Sequence, residues 1–187
     1  MSWEEQLFAL FDDLEQQATA AYDVERSWEV ADRSRAEYRS VTLASRLMAS
    51  VDAEVVLDVR GVGPVSGALR RVGEGWCLVE ARGSDWVLRT EALDVVRGAS
   101  ERSRPEAAWS PVQRLGVATA LRRLADAAVP CVLHLVTGAR HHAVVVRVGS
   151  DFLEVRVGER ERGTAPRVLL VALAAVAAVQ SEPHAEA

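Results

Sequence analysis

The chain has 187 residues, 49% of them hydrophobic, and carries a net charge of −5 at neutral pH. That length supports one to two domains with real cores, and the composition excludes an intrinsically disordered chain. The acidic balance argues against broad electrostatic attachment to nucleic acid or to an anionic membrane, leaving room only for a local arginine patch. Lys, Ile and Asn are absent and all 22 basic residues are Arg; avoiding those AT-rich codons points to a GC-rich, bacterial genome. The acidic start MSWEEQLFALFDDLEQQ has neither the basic opening nor the apolar core of a signal peptide. The longest apolar run, Val168 to Val179, is too short to span a bilayer. Cys77 and Cys131 have no CxxC or histidine spacing around them and read as small buried hydrophobes in a reducing cytoplasm.

From Ser2 to about Arg39 there is neither Gly nor Pro. Trp3, Leu7, Leu10, Leu14, Gln17, Ala21, Val24, Trp28, Ala31, Arg35 and Tyr38 keep a 4-3 spacing, which predicts a helical arm over residues 1–40 with a heptad-like seam. Ser2 followed by Glu5 fits a capping box. Such an arm either dimerises as a coiled coil or packs back on its own chain. Ser40 or Thr42 can cap a short second helix, Leu43 to Ala49.

The following stretch is written twice. Val55 to Val79 meets Cys131 to Val155 at an offset of 76 positions without a gap, Arg71-Val72-Gly73 falling on Arg147-Val148-Gly149 and Trp76 on Phe152. In each copy apolar and polar positions alternate, as in half-buried strands, and Gly-rich turns separate them. The first copy reads as five strands: from Val55, from Val65, Trp76 to Ala81, Trp86 to Arg89, and Leu93 to Arg97. Asp58, and His134 at the matching position, are expected to point outward, with Leu57 and Leu133 inward. Trp76 and Trp86 are expected to fill the interior. Residues 99–109 read as a linker. Ser110-Pro111 is expected to open a helix that ends at Pro130 and turns Val117, Leu121 and Leu124 inward. The second copy assigns Val168 to Val179 to two short strands. Residues 41–98 and 110–181 thus form the two repeat units, and 182–187 a tail.

A short helix followed by five bent strands resembles the Sm-like fold. In the first copy Gly67-Ala68-Leu69, Gly73 and Trp76-Cys77-Leu78-Val79 are similar to the first Sm signature. Leu88 to Val96, with Arg89-Thr90, is similar to the second. The resemblance implies an α+β chain: an N-terminal helical arm followed by two helix-plus-five-stranded small β-barrels. It also implies that the fourth strand of one unit pairs with the fifth of the other, leaving one free edge at each end. Where the family holds uridines with Asp, Asn and Arg-Gly, this chain has Gly73, Cys77 and Arg89-Thr90. The second copy has Gly149, Leu153 and Leu170. The pocket implied for RNA is therefore largely lost.

No catalytic fingerprint is present, and no cofactor is implied. His141-His142 sit on opposite faces of a strand and lack a third ligand, so no metal site is read. The sequence reads as a non-enzymatic, cytoplasmic interaction or regulatory adaptor with a protein partner and a homodimeric state. Leu7, Leu10, Leu14, Trp28 and Trp109 are its candidate contact residues, Trp109 being weighed against a role in pinning the linker. The alternative is a nucleic-acid-binding regulator using Arg70, Arg71, Arg89, Arg140 and Arg147.

Overall fold

The computed structural model describes residues 3, 15–17, 22, 26, 28, 32–158 and 166–182. The chain divides into two compact units, residues 1–41 and 42–187. In the first, the described positions are helical apart from a turn at Ser40 and Val41 beyond it, and Trp28 is 71% exposed. Leu7, Leu10 and Leu14 lie outside the described residues. The coiled coil is corrected: the described structure is predominantly β, and the α-helices of its second unit have only six and ten residues.

The second unit is built on ten strands. The first five are β1 Glu54–Val59, β2 Gly63–Gly73, β3 Trp76–Ala81, β4 Ser84–Arg89 and β5 Leu93–Arg97. The others are β6 Pro130–Leu135, β7 Arg140–Val148, β8 Phe152–Val157, β9 Arg167–Ala172 and β10 Val176–Ser181. All ten belong to one antiparallel sheet in the order β5-β1-β2-β3-β4-β10-β6-β7-β8-β9. This corrects the expected arm followed by two five-stranded barrels. The hydrogen-bonding edge of β4 goes to β10, through Leu88↔Ala178, Val87↔Val179 and Trp86↔Gln180. That one pairing merges the halves into an open sheet, with β5 and β9 as its edges.

The two halves nonetheless keep one register. Leu57↔Val65 in β1–β2 recurs as Leu133↔His141 in β6–β7. The irregularity between Leu69 and Arg71 recurs between Val145 and Arg147. Strand alternation sends Leu57, Leu69 and Val79 into one apolar cluster and Leu133, Val145 and Val155 into a second. Each fully buried Leu contributes about 1.5–3 kcal/mol. The seam stitches the clusters together, since Ala177 and Ala178 of β10 join the first and Val87 of β4 packs against the second. Arg89 donates from its guanidinium to the Leu173 carbonyl across the seam.

Two helices lie beside the sheet. Helix α1, Leu43–Met48, starts at Thr42, whose hydroxyl accepts from the Ser45 amide while the Ser45 hydroxyl accepts from the Thr42 amide. The segment after β5 lies against it, with the Arg46 guanidinium donating to the Ser100 carbonyl at 2.7 and 2.9 Å. Trp109 is buried in the first cluster, and its indole N–H donates to the Arg104 carbonyl at 3.0 Å. Helix α2, Val117–Asp126, begins six residues later than Ser110-Pro111 suggests. Residues 111–114 close turns instead, and Gly116 is the N-cap. Leu121 is its fully buried anchor.

His134 departs from expectation too. It is buried, not outward, because the β4–β10 seam brings Trp86 over it with ring centroids 5.1 Å apart. Its Nε2 lies 3.1 Å from Gln180 Oε1, and its Nδ1 has no hydrogen-bond partner among the described residues. Burial lowers its pKa.

Candidate functional site

Beside the β2–β3 hairpin lies a groove of about 400 Å³. Met48, Val51 and Val72 supply apolar lining from α1, the turn after it and β2. Trp76, Val112 and Leu115 add further apolar surface, and Arg70, Arg71 and Arg123 are the charged residues. Trp76 does not fill the core; it is half-buried at this groove. Its position follows from Gly73. A Cβ at residue 73 would lie 2.3 Å from Trp76 Nε1, so only glycine lets the indole lie flat on the strand. The indole N–H then donates to the Leu115 carbonyl at 2.8 Å, drawing residues 112–115 to the hairpin. A bridge between Glu74 and Gly116 ties the same segment.

The groove's charge is set by cross-strand neighbours. Arg70 is engaged: it meets Glu80 at 2.5 Å and Asp52 at 3.4 Å, and the Glu80 hydrogen bond is the main cause of its raised pKa. Arg71 faces Leu78 on β3. The matching residue of the second half, Arg147, faces Glu154 on β8 and pairs with it at 2.7 Å. Arg71 is exposed and, like Arg123 on α2, makes no ion pair among the described residues. An apolar floor with two unneutralised guanidinium groups beside it has the chemistry to hold an apolar segment that also carries carboxylates.

The residues expected to contact nucleic acid are dispersed in role. Arg70 and Arg147 are ion-paired, while Arg89 is largely buried between the Leu173 carbonyl and the Glu91 carboxylate. Arg140 is exposed at the start of β7, on a different strand from Arg70 and Arg71. The positions matching an RNA pocket are structural: Gly73 lies under Trp76, and Cys77 is fully buried. Burial pushes the Cys77 thiol up to about 12 and that of Cys131 up to about 11, so both are poor nucleophiles. Trp109 is core and not an exposed contact. Among the described residues no three His, Cys, Asp or Glu side chains could hold a metal ion. No described helix is long and apolar enough to cross a membrane.

Sequence reasoning passed over Leu115 and the pairing partner of Arg71, and weighed Arg122-Arg123 only as possible phosphate contacts or a solvated face. One signal was available: at the 76-residue offset Leu78 falls on Glu154, so the repeat itself marks Arg71 as the arginine without a counter-charge. No family model matches the chain, and no curated protein matches it.

Proposed function

We propose that this protein is a non-enzymatic interaction or regulatory adaptor that holds an acidic, amphipathic segment of a protein partner in the groove beside Trp76. The observation that carries this reading is the pairing of an apolar lining with Arg71 and Arg123, two guanidinium groups free of carboxylates among the described residues. A desolvated carboxylate–guanidinium contact beside an aromatic anchor is the usual source of binding energy at such a site. Cytoplasmic location belongs to the same proposal, supported by two buried cysteines that remain free thiols.

The test uses the full chain and two short fluorescent peptides with the same leucine and phenylalanine positions, one carrying glutamates and the other lysines. Anisotropy at physiological salt should show binding of the acidic peptide only, weakened by Arg71→Gln and by Arg123→Gln. Equal binding of both peptides, or no effect of either variant, overturns the reading. Short RNA and DNA in the same assay test the alternative. Sequence-dependent, sub-micromolar binding that survives physiological salt would replace the adaptor with a nucleic-acid regulator.

A further inference from the structure

The open sheet has two edges, and they are built differently. At β5, Asp94 pairs with Arg60 at 2.5 Å and Arg97 pairs with Asp58 at 2.7 Å, so charged side chains guard the strand. Charges on an edge strand deter the pairing that its free N–H and C=O groups invite. At β9 the residues from Val168 to Ala172 are all apolar, and Arg167 is the strand's single charge. Val168 is 58% exposed and Leu170 is 72% exposed.

The seam within the chain shows what a covered edge looks like here. β10 corresponds to β5, because Leu133↔Val179 repeats Leu57↔Val96 and both pairings slip by one residue at the same place. The slip leaves Asp94 in one half and Ala177 in the other. Where β5 faces outward the residue is charged, and where β10 meets β4 it is an alanine with no exposure. β9 corresponds to β4, since Leu153↔Val171 repeats Cys77↔Leu88. Leu170 therefore stands where Val87 stands, and Val87 is packed against the second core. β9 has the composition of a covered edge, and among the described residues no second strand pairs with it.

We infer that β9 is the contact between two copies of this chain, joined antiparallel about a two-fold axis so that the sheet continues from one copy into the next. A two-fold contact needs a self-complementary strand, and the run from Val168 to Ala172 is one. With Leu170 opposite its own mate, Leu169 faces Val171 and Val168 faces Ala172, and Arg167 stays outside the apolar stretch. Head-to-tail addition through β5 would instead bring the Asp94–Arg60 pair under a neighbouring strand, at a desolvation cost that the β9 contact avoids.

Light scattering on the full chain should show a dimer that Leu170→Lys shifts to monomer, with circular dichroism unchanged because the side chain is exposed. Val95→Lys on the opposite edge should leave the dimer intact. In a Leu170→Cys variant, oxidation should link two copies through residue 170, whereas Val95→Cys should give no link. A monomeric wild type, a dimer indifferent to Leu170→Lys, or a link between Leu170→Cys and Val96→Cys partners would each overturn the inference. Leu170→Lys should also bind the acidic peptide as the wild type does, so failure of the groove reading and failure of this one are separable.

Discussion

The two halves of the sheet share a backbone plan and differ in what their equivalent side chains face. Arg71 and Arg147 occupy one position in that plan, opposite Leu78 in one half and Glu154 in the other. Trp76 and Phe152 both lie on a glycine, but only the indole has an N–H to donate to Leu115. Asp94 and Ala177 fill the same irregular position, at a guarded edge and at a covered seam. The lesson is that register fixes where a side chain points, while its neighbour across the strand decides whether it is structural or available. At that position Arg147 is closed by Glu154, whereas Arg71 stays without an ion pair among the described residues and stands with Arg123 beside an apolar groove.

The comparison can be broken most forcefully at the seam. Ala177→Asp copies the β5 residue into a position with no exposure, and should cost roughly 3–5 kcal/mol, because the new charge is buried without a partner. The reciprocal Asp94→Ala removes one exposed ion-pair partner and should change stability by less than about 1 kcal/mol. Urea denaturation of both variants checks the asymmetry; equal effects would mean that the seam does not exclude water.

Next in size are the two inward leucines. Leu57→Ala and Leu133→Ala each leave a cavity at a fully buried site and should each cost about 3 kcal/mol. Because β4–β10 joins the clusters, both variants should unfold residues 42–187 in one transition. A variant that melts one half and spares the other would contradict the single sheet.

A smaller difference separates Asp58 from its counterpart His134. The folded-state pKa of His134 is held below its ordinary 6.5 by burial, with Arg140 and His142 adding to the effect and Gln180 opposing it. The unfolded chain therefore binds more protons there, and stability is lost as pH falls below 6.5. His134→Gln should flatten that part of the stability profile relative to the wild type. An unchanged slope would show that His134 titrates normally in the fold.

Much of this plan was legible in the sequence. The offset that aligns Val55 with Cys131 placed the strands, because alternation of apolar and polar residues is written in side chains. The seam was not legible in that way, since β4 and β10 join through backbone groups that any residue carries. The resemblance implied that pairing and a free edge at each end, but not that it would merge the two barrels into one sheet, and His134 reads as outward until Trp86 is brought over it. The late start of α2 has a local cause: Ser110-Pro111 has the signature of a helix start, with Gln113 accepting from the Ser110 amide at 2.9 Å, but the turns over 111–114 stop there and Gly116 caps the helix instead. The groove was half legible. Leu78 against Glu154 marks the free arginine, whereas the Leu115 carbonyl that holds Trp76 has no sequence signature.

The most direct test gives Arg71 the counter-charge that Arg147 has. Leu78→Glu places opposite Arg71 the carboxylate that Glu154 offers Arg147, on a half-buried residue outside the fully buried core. The acidic peptide should then bind at least tenfold more weakly, about 1.4 kcal/mol, with the fold unchanged by circular dichroism. Adding Arg71→Gln to that variant should cost little more, because the arginine is already neutralised. Undiminished binding by Leu78→Glu would contradict the claim that an uncompensated Arg71 makes this groove a partner site.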